Sequence, residues 1–221
     1  MIISEPQLPA TINKRKLISD AVFCMLALIS FSLLITFPFP QRIAGFLPLI
    51  VLAFIIARHR ESLLAIYGFT AENIFSSEKI AFNVIGILMG VAGAFYYKGT
   101  LGIPLLPSHI EQFAIIAVCI GVLEELLFRG FIQGLLKNIH AGFAIFFAAL
   151  AHVCYKVFIF LSPAAQSHPH IVLFSLYSFG VFIILGNTRH YSKSIIPAIL
   201  AHAVFDLLVY AENTHAPWWV W

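Results

Sequence analysis

The chain has 221 residues, of which 61% are hydrophobic and only 10% charged, and its mean hydropathy is +0.95. Soluble domains carry roughly a quarter charged residues, so this composition describes a polytopic membrane protein and excludes a soluble enzyme. The formal charge of +3 is too small, and the basic residues too confined to segment ends, to suggest a nucleic-acid partner.

Apolar runs long enough to cross about 30 Å of hydrocarbon occur at 18–38, 43–57, 80–97, 110–136, 139–161, 170–187 and 194–211. They predict an all-α membrane helical bundle of about seven transmembrane helices, forming one membrane domain over 1–221. Lys14, Arg15 and Lys16 precede the first run, which is too long for a signal-peptide core and lacks a small-residue cleavage site; it is read as a retained span. The link through Pro38, Phe39, Pro40 and Gln41 is tight enough to make a hairpin of the first two spans. Gly99 to Pro107 and the Ser162-Pro163 segment read as loops. Cys24, Cys119 and Cys154 lie within apolar runs without metal-type or redox-type spacing, and are read as small core residues.

Loop charges give the orientation. Nine basic residues, Lys14, Arg15, Lys16, Arg58, Arg60, Lys79, Lys137, Arg189 and Lys193, fall on one side, and only Arg42 and Lys98 on the other. The expected arrangement has the N-terminus cytoplasmic and Trp218, Trp219 and Trp221 in the outer aromatic belt, in the inner (plasma) membrane if the cell is bacterial.

The run GVLEELLFRG places Glu124, Glu125 and Arg129 inside an apolar segment, where each charge costs several kcal/mol. Glu125 and Arg129 are spaced i,i+4 and read as a structural ion pair. Glu124 points about 100° away and is left free for chemistry. His152, His202 and Asp206 are the other deep polar groups. At 1.5 Å per residue these three and Glu124 lie roughly 13–20 Å from the cytoplasmic helix ends, so three helices bring carboxylates and imidazoles to one level. His202 and Asp206, again i,i+4, allow the carboxylate to orient the ring. Lys156, four residues after His152, reads as reaching for an interface. His109, His140, His168, His170, His190, His215, Asp20, Asn83 and Lys98 read as interfacial.

The E-E-x-x-x-R motif, a histidine in the next span and H-x-x-x-D from His202 to Asp206 together resemble the CPBP family of intramembrane proteases, named for CAAX proteases and bacteriocin processing. The resemblance covers Gly121 to Asp206, with a motif-bearing core at 110–211. It implies an endopeptidase that cleaves a membrane-associated protein or peptide, with a water activated by Glu124 and His152. It also implies that His202 and its partner stabilise the oxyanion, Glu125 being part of the same set. Two departures stand out. The family's second motif is usually F-x-x-x-H, yet Ala148 occupies the aromatic position and the nearest ring is Phe147. Asp206 replaces the Asn of some members and as an anion cannot donate, so it is expected to orient His202 or to be protonated.

A zinc ion is possible, with Glu124, His152 and His202 as candidate ligands, although no HExxH is present and no cofactor is favoured. Two other functions fit the same residues: a catalytically weak bacteriocin-immunity or peptide-binding protein, and a proton-coupled transporter. The absence of repeat halves argues against the transporter.

Overall fold

The structure, a computed structural model, describes residues 13–68, 77–162 and 170–213, which are helical with short connections. Helix α1 (Lys14–Ile35) is capped by Asn13, whose side-chain oxygen accepts the Arg15 N–H at 3.0 Å. Leu17, Ala21, Cys24 and Leu28 recur at three- and four-residue spacing and form its buried stripe. A short 3₁₀ turn leads into α2 (Phe46–Arg58), which closes the expected hairpin. A polar link follows it. It contains a short helix, α3 (Leu63–Tyr67), whose fully buried Ile66 packs beneath Gly134.

Helix α4 (Ser77–Thr100) is followed by α5 (Gln112–Glu125), which runs without a break into a π-helical segment, Leu126–Ile132, and then into α6 (Gln133–Leu136). The apolar run predicted a single α-helix here; the i→i+5 bonding is the difference. Helices α7 (Ala141–Leu161), α8 (Ile171–Ser192) and α9 (Ile196–Val209) complete the bundle.

Five helical segments are long and apolar enough to cross a membrane, and α9 is a shorter apolar helix. The continuous run from Gln112 to Leu136 supplies the remaining span. The protein is therefore an all-α polytopic membrane bundle of about seven spans. Helix α9 lies between α4 and α5, and α7 lies between α1 and α8. Gly86 and Gly90 let α4 approach α9 closely, since a Cβ at either would run into the Pro197 or Ala201 carbonyl.

Two residues read as interfacial, Asp20 and Lys98, are buried with partners. Asp20 accepts from Arg58 Nη2 at 2.8 Å and faces His59 Nε2 at 2.9 Å, tying α1 to the end of α2. Lys98 is buried and donates to the Leu208 carbonyl near the end of α9 (3.3 Å), one of the carbonyls a helix leaves open there. At the opposite end Lys137 and Arg189 donate to the Ala65 and Ile66 carbonyls of α3. Of the cysteines only Cys24 is core; Cys119 is exposed and Cys154 half-buried. Pro163, His168, His215 and the three tryptophans lie outside the described residues.

Candidate active site

Helices α5, α7 and α9 meet where Glu124, His152 and His202 face one another. Close approach of α9 depends on Gly121: a Cβ there would collide with Asp206 Oδ2 and come within 3.1 Å of the His202 ring. The ring of His152 is fully buried between Phe128 and Phe182, stacked on both with centroid distances of 4.0 and 3.8 Å. These two rings, from the π segment and from α8, do the packing that the sequence sought at position 148. Ala148 is itself buried in the core, and Phe147 packs against that core.

The hydrogen bonds fix the tautomer of His152. A guanidinium can only donate, so the bond from Arg129 Nη1 makes Nδ1 the acceptor and puts the ring proton on Nε2. That proton points at Glu124 Oε2, 3.0 Å away. Glu124 is thus not left free, as its position on the helix suggested. Its second oxygen, Oε1, is bound by Lys156 Nζ at 2.5 Å, so Lys156 reaches inward to the site rather than outward. Two helical turns' worth of i,i+4 spacing, Glu125 to Arg129 and His152 to Lys156, end on one carboxylate pair.

Arg129 and Glu125 are both fully buried and form the expected ion pair, 2.9 Å between Nη1 and Oε1. The pair does more than balance charge, because Arg129 also holds His152 and lies over the Phe182 ring at 4.5 Å. Glu125 Oε1 in turn faces His202 Nδ1 at 2.9 Å. Asp206, expected to orient His202 or to be protonated, has Oδ2 3.7 Å from His202 Nε2, within ion-pair reach but beyond a direct hydrogen bond, and Glu124 Oε2 lies 3.8 Å from the same nitrogen. Sequence reasoning missed Phe128, Phe182 and the inward role of Lys156. For Lys156 the signal was present, since it stands one turn from His152.

The zinc candidates Glu124, His152 and His202 do come together, but their donor set does not fit a metal in this arrangement. Nε2 of His152 carries a proton, an ammonium sits on Glu124, and no group of three His, Cys, Asp or Glu side chains among the described residues is arranged to hold an ion.

Fold and site together define an integral membrane protein with a cluster of acids, imidazoles and cations sunk among its spans. Residues 106–208 match the model of the family described as type II CAAX prenyl endopeptidase Rce1-like, and over that stretch the chain is similar to it. The match takes in every residue of the cluster and leaves α1 to α4 outside it. It agrees with the resemblance read from the motifs. No curated protein and no solved structure matches the chain.

Proposed function

We propose that the protein is an intramembrane endopeptidase that hydrolyses a peptide bond of a membrane-associated protein or peptide, using a water activated by Glu124. The observation that carries this reading is the pairing of Glu124 Oε2 with His152 Nε2 at 3.0 Å, at membrane depth, opposite His202. A carboxylate that takes a proton from water and returns it to a leaving amine is a general acid–base pair in one group, and it must be held at a fixed height among the spans. His152, locked by two stacked rings and by Arg129, holds it there. His202 faces the same oxygen from α9.

The family's description makes a prenylated CAAX peptide the first substrate to try. The orientation with the N-terminus cytoplasmic belongs to this proposal, and so does a reaction without a resident metal. Its support is the donor set: the candidate zinc ligands are already engaged with Arg129, Lys156 and Glu125.

The test is cleavage, read by mass spectrometry, of a farnesylated CAAX peptide and of a library of membrane-protein peptides by the purified chain in bicelles. Wild-type protein is expected to cleave, Glu124→Gln to be inactive yet folded, and 1,10-phenanthroline to leave the rate unchanged. Cleavage undiminished in Glu124→Gln, or no cleavage of either substrate set, would overturn the reading. Loss of activity to the chelator, restored by added zinc, would instead replace the water-activating glutamate with a metal.

A further inference from the structure

Where α6 turns into α7 and α8 comes to its end, the structure leaves a cavity of about 140 Å³. Lys137, Arg189, His190 and Lys193 line it, together with Gln133 and Ala141, and no acidic side chain does so among the described residues. Lys137 stands thirteen residues beyond Glu124 on the same continuous run, about 20 Å away along the helix, so this is not the hydrolytic site.

Topology alone does not account for these charges. A cation that only marks one side of a membrane stands in water, as Lys14, Arg15 and Lys16 do, whereas Arg189 is 5% exposed and Lys137 half-buried. Capping of α3 accounts for part of their work: Lys137 gives one N–H to the Ala65 carbonyl at 3.0 Å and Arg189 one to the Ile66 carbonyl at 2.6 Å. An ammonium has three N–H groups and a guanidinium five. These two bonds also hold both heads in place. The helix ends count for less, since each brings about half a charge, against three full positive charges from Lys137, Arg189 and Lys193.

Size and polarity narrow the occupant. Gln133 donates Nε2 to the Gly186 carbonyl at 2.9 Å and keeps Oε1 without a hydrogen-bond partner, so the wall is polar where it meets the core. A polar cavity holds water or a polar ligand, and at about 30 Å³ for each water-sized oxygen this one has room for the four oxygens of a phosphate. Its place among helix ends puts it at headgroup level. Phe143 and Phe146 on α7 and Ile184 on α8 are exposed within two turns of it, and offer apolar faces to acyl chains.

We infer that this cavity binds the phosphate of an anionic phospholipid, whose chains lie along α7 and α8. The inference is independent of the hydrolytic reading, because it concerns a different set of residues at a different depth.

The experiment follows thermal unfolding of the full-length chain in dodecyl maltoside as dioleoylphosphatidylglycerol is added, with dioleoylphosphatidylcholine, dioleoylglycerol, glycerol 1-phosphate and inorganic phosphate as the other probes. Phosphatidylglycerol is expected to raise Tm saturably, as a ligand of the folded state does, and the other probes to do so at least tenfold more weakly. Lys193→Asn, in which asparagine tolerates the positive φ of 53° at that position, is expected to raise the half-saturating lipid concentration at least tenfold. Ala141→Leu, which puts bulk into the cavity at constant charge, is expected to do the same. Arg60→Gln removes an exposed charge outside the cavity and is expected to change nothing.

An equal response to phosphatidylcholine or dioleoylglycerol would overturn the inference, since no phosphate is then being recognised by charge. A response to inorganic phosphate or glycerol phosphate that the lipid does not exceed would replace the lipid with a soluble anion. Equal weakening by Arg60→Gln and Lys193→Asn, with Ala141→Leu like wild type, would reduce the site to diffuse surface charge and refute it. Should the cavity variants fail to fold, native mass spectrometry of the wild-type chain decides: one phosphatidylglycerol retained from an equimolar mixture with phosphatidylcholine is expected, and no preference would refute the site.

Discussion

Nδ1 of His202 lies 2.9 Å from Glu125 Oε1, while Asp206, one turn further along the same helix, stays 3.7 Å from the ring's Nε2. The second glutamate of the pair therefore sets the angle of the imidazole on α9, and it does so across helices rather than along one. The consequence can be measured. Asp206→Asn is expected to keep kcat/KM within about tenfold of wild type, because a contact beyond hydrogen-bond range contributes little orientation. Glu125→Gln is expected to lose both activity and stability, since it frees the ring and leaves Arg129 without its counter-charge. Steady-state kinetics on the two variants would reverse the assignment if Asp206→Asn proved the more damaging.

Arg129 joins three jobs in one buried side chain: counter-ion to Glu125, donor to His152 and partner to the Phe182 ring. Breaking a buried pair by removing one partner costs about 3–5 kcal/mol. Arg129→Ala should accordingly unfold at a much lower temperature in detergent, or fail to accumulate in the membrane, whereas Glu124→Gln should melt near wild type. Lys156 can turn its ammonium outward when Glu124 loses its charge, which Arg129, fully buried, cannot do. Equal melting temperatures for wild type and Arg129→Ala would contradict this account.

Phe182 stacks on His152 at 3.8 Å and carries the Arg129 guanidinium at 4.5 Å. Aromatic pairs contribute about 0.5–1.5 kcal/mol beyond their area, and a desolvated cation–π contact about 2 kcal/mol. Phe182→Leu keeps most of the volume and loses both contacts. A drop in stability of about 1–3 kcal/mol is expected from thermal unfolding, with a roughly tenfold or greater fall in kcat as His152 gains freedom. Wild-type kinetics in this variant would show that the stack does not position the ring.

Much of this architecture could be read from the residues alone, for reasons that are specific to membranes. Runs of eighteen or more apolar residues have few alternatives to a span, and a fixed rise per residue converts position into depth. Glu124, His152 and His202 were placed at one level by that arithmetic. Which groups then bond to which was not legible. The contacts of Phe128 and Phe182 with His152, and of Glu125 with His202, depend on how helices far apart in sequence rotate against one another. Periodicity gives the face of a helix but not its partner. The π segment at Leu126–Ile132 left no mark on the apolar pattern, because both bonding schemes bury the same kind of residue.

The orientation of the bundle is tested at Asn213, just beyond α9. With the N-terminus cytoplasmic and about seven spans, a cysteine at that position, introduced into a chain lacking Cys24, Cys119 and Cys154, should react with a membrane-impermeant maleimide added from outside. Labelling only after the inner face is opened would invert the proposed topology.

The π segment has a bearing on how this helix can change. Each such bulge holds one residue more than an α-helix of equal height, so it takes up an extra residue while keeping the stretch carrying Glu124 and Glu125 in phase with the stretch leading to Gln133. Deleting a single residue between Leu126 and Ile132 while restoring plain α-helical bonding would leave the two stretches facing as they do, whereas the same deletion from the regular α-helix of α5 would turn them about 100° relative to each other. The carboxylates would keep facing α7 and α9 in the first case and lose them in the second. A difference of one residue in the length of this helix can thus be absorbed at the bulge and nowhere else along it without breaking the register of acids with imidazoles.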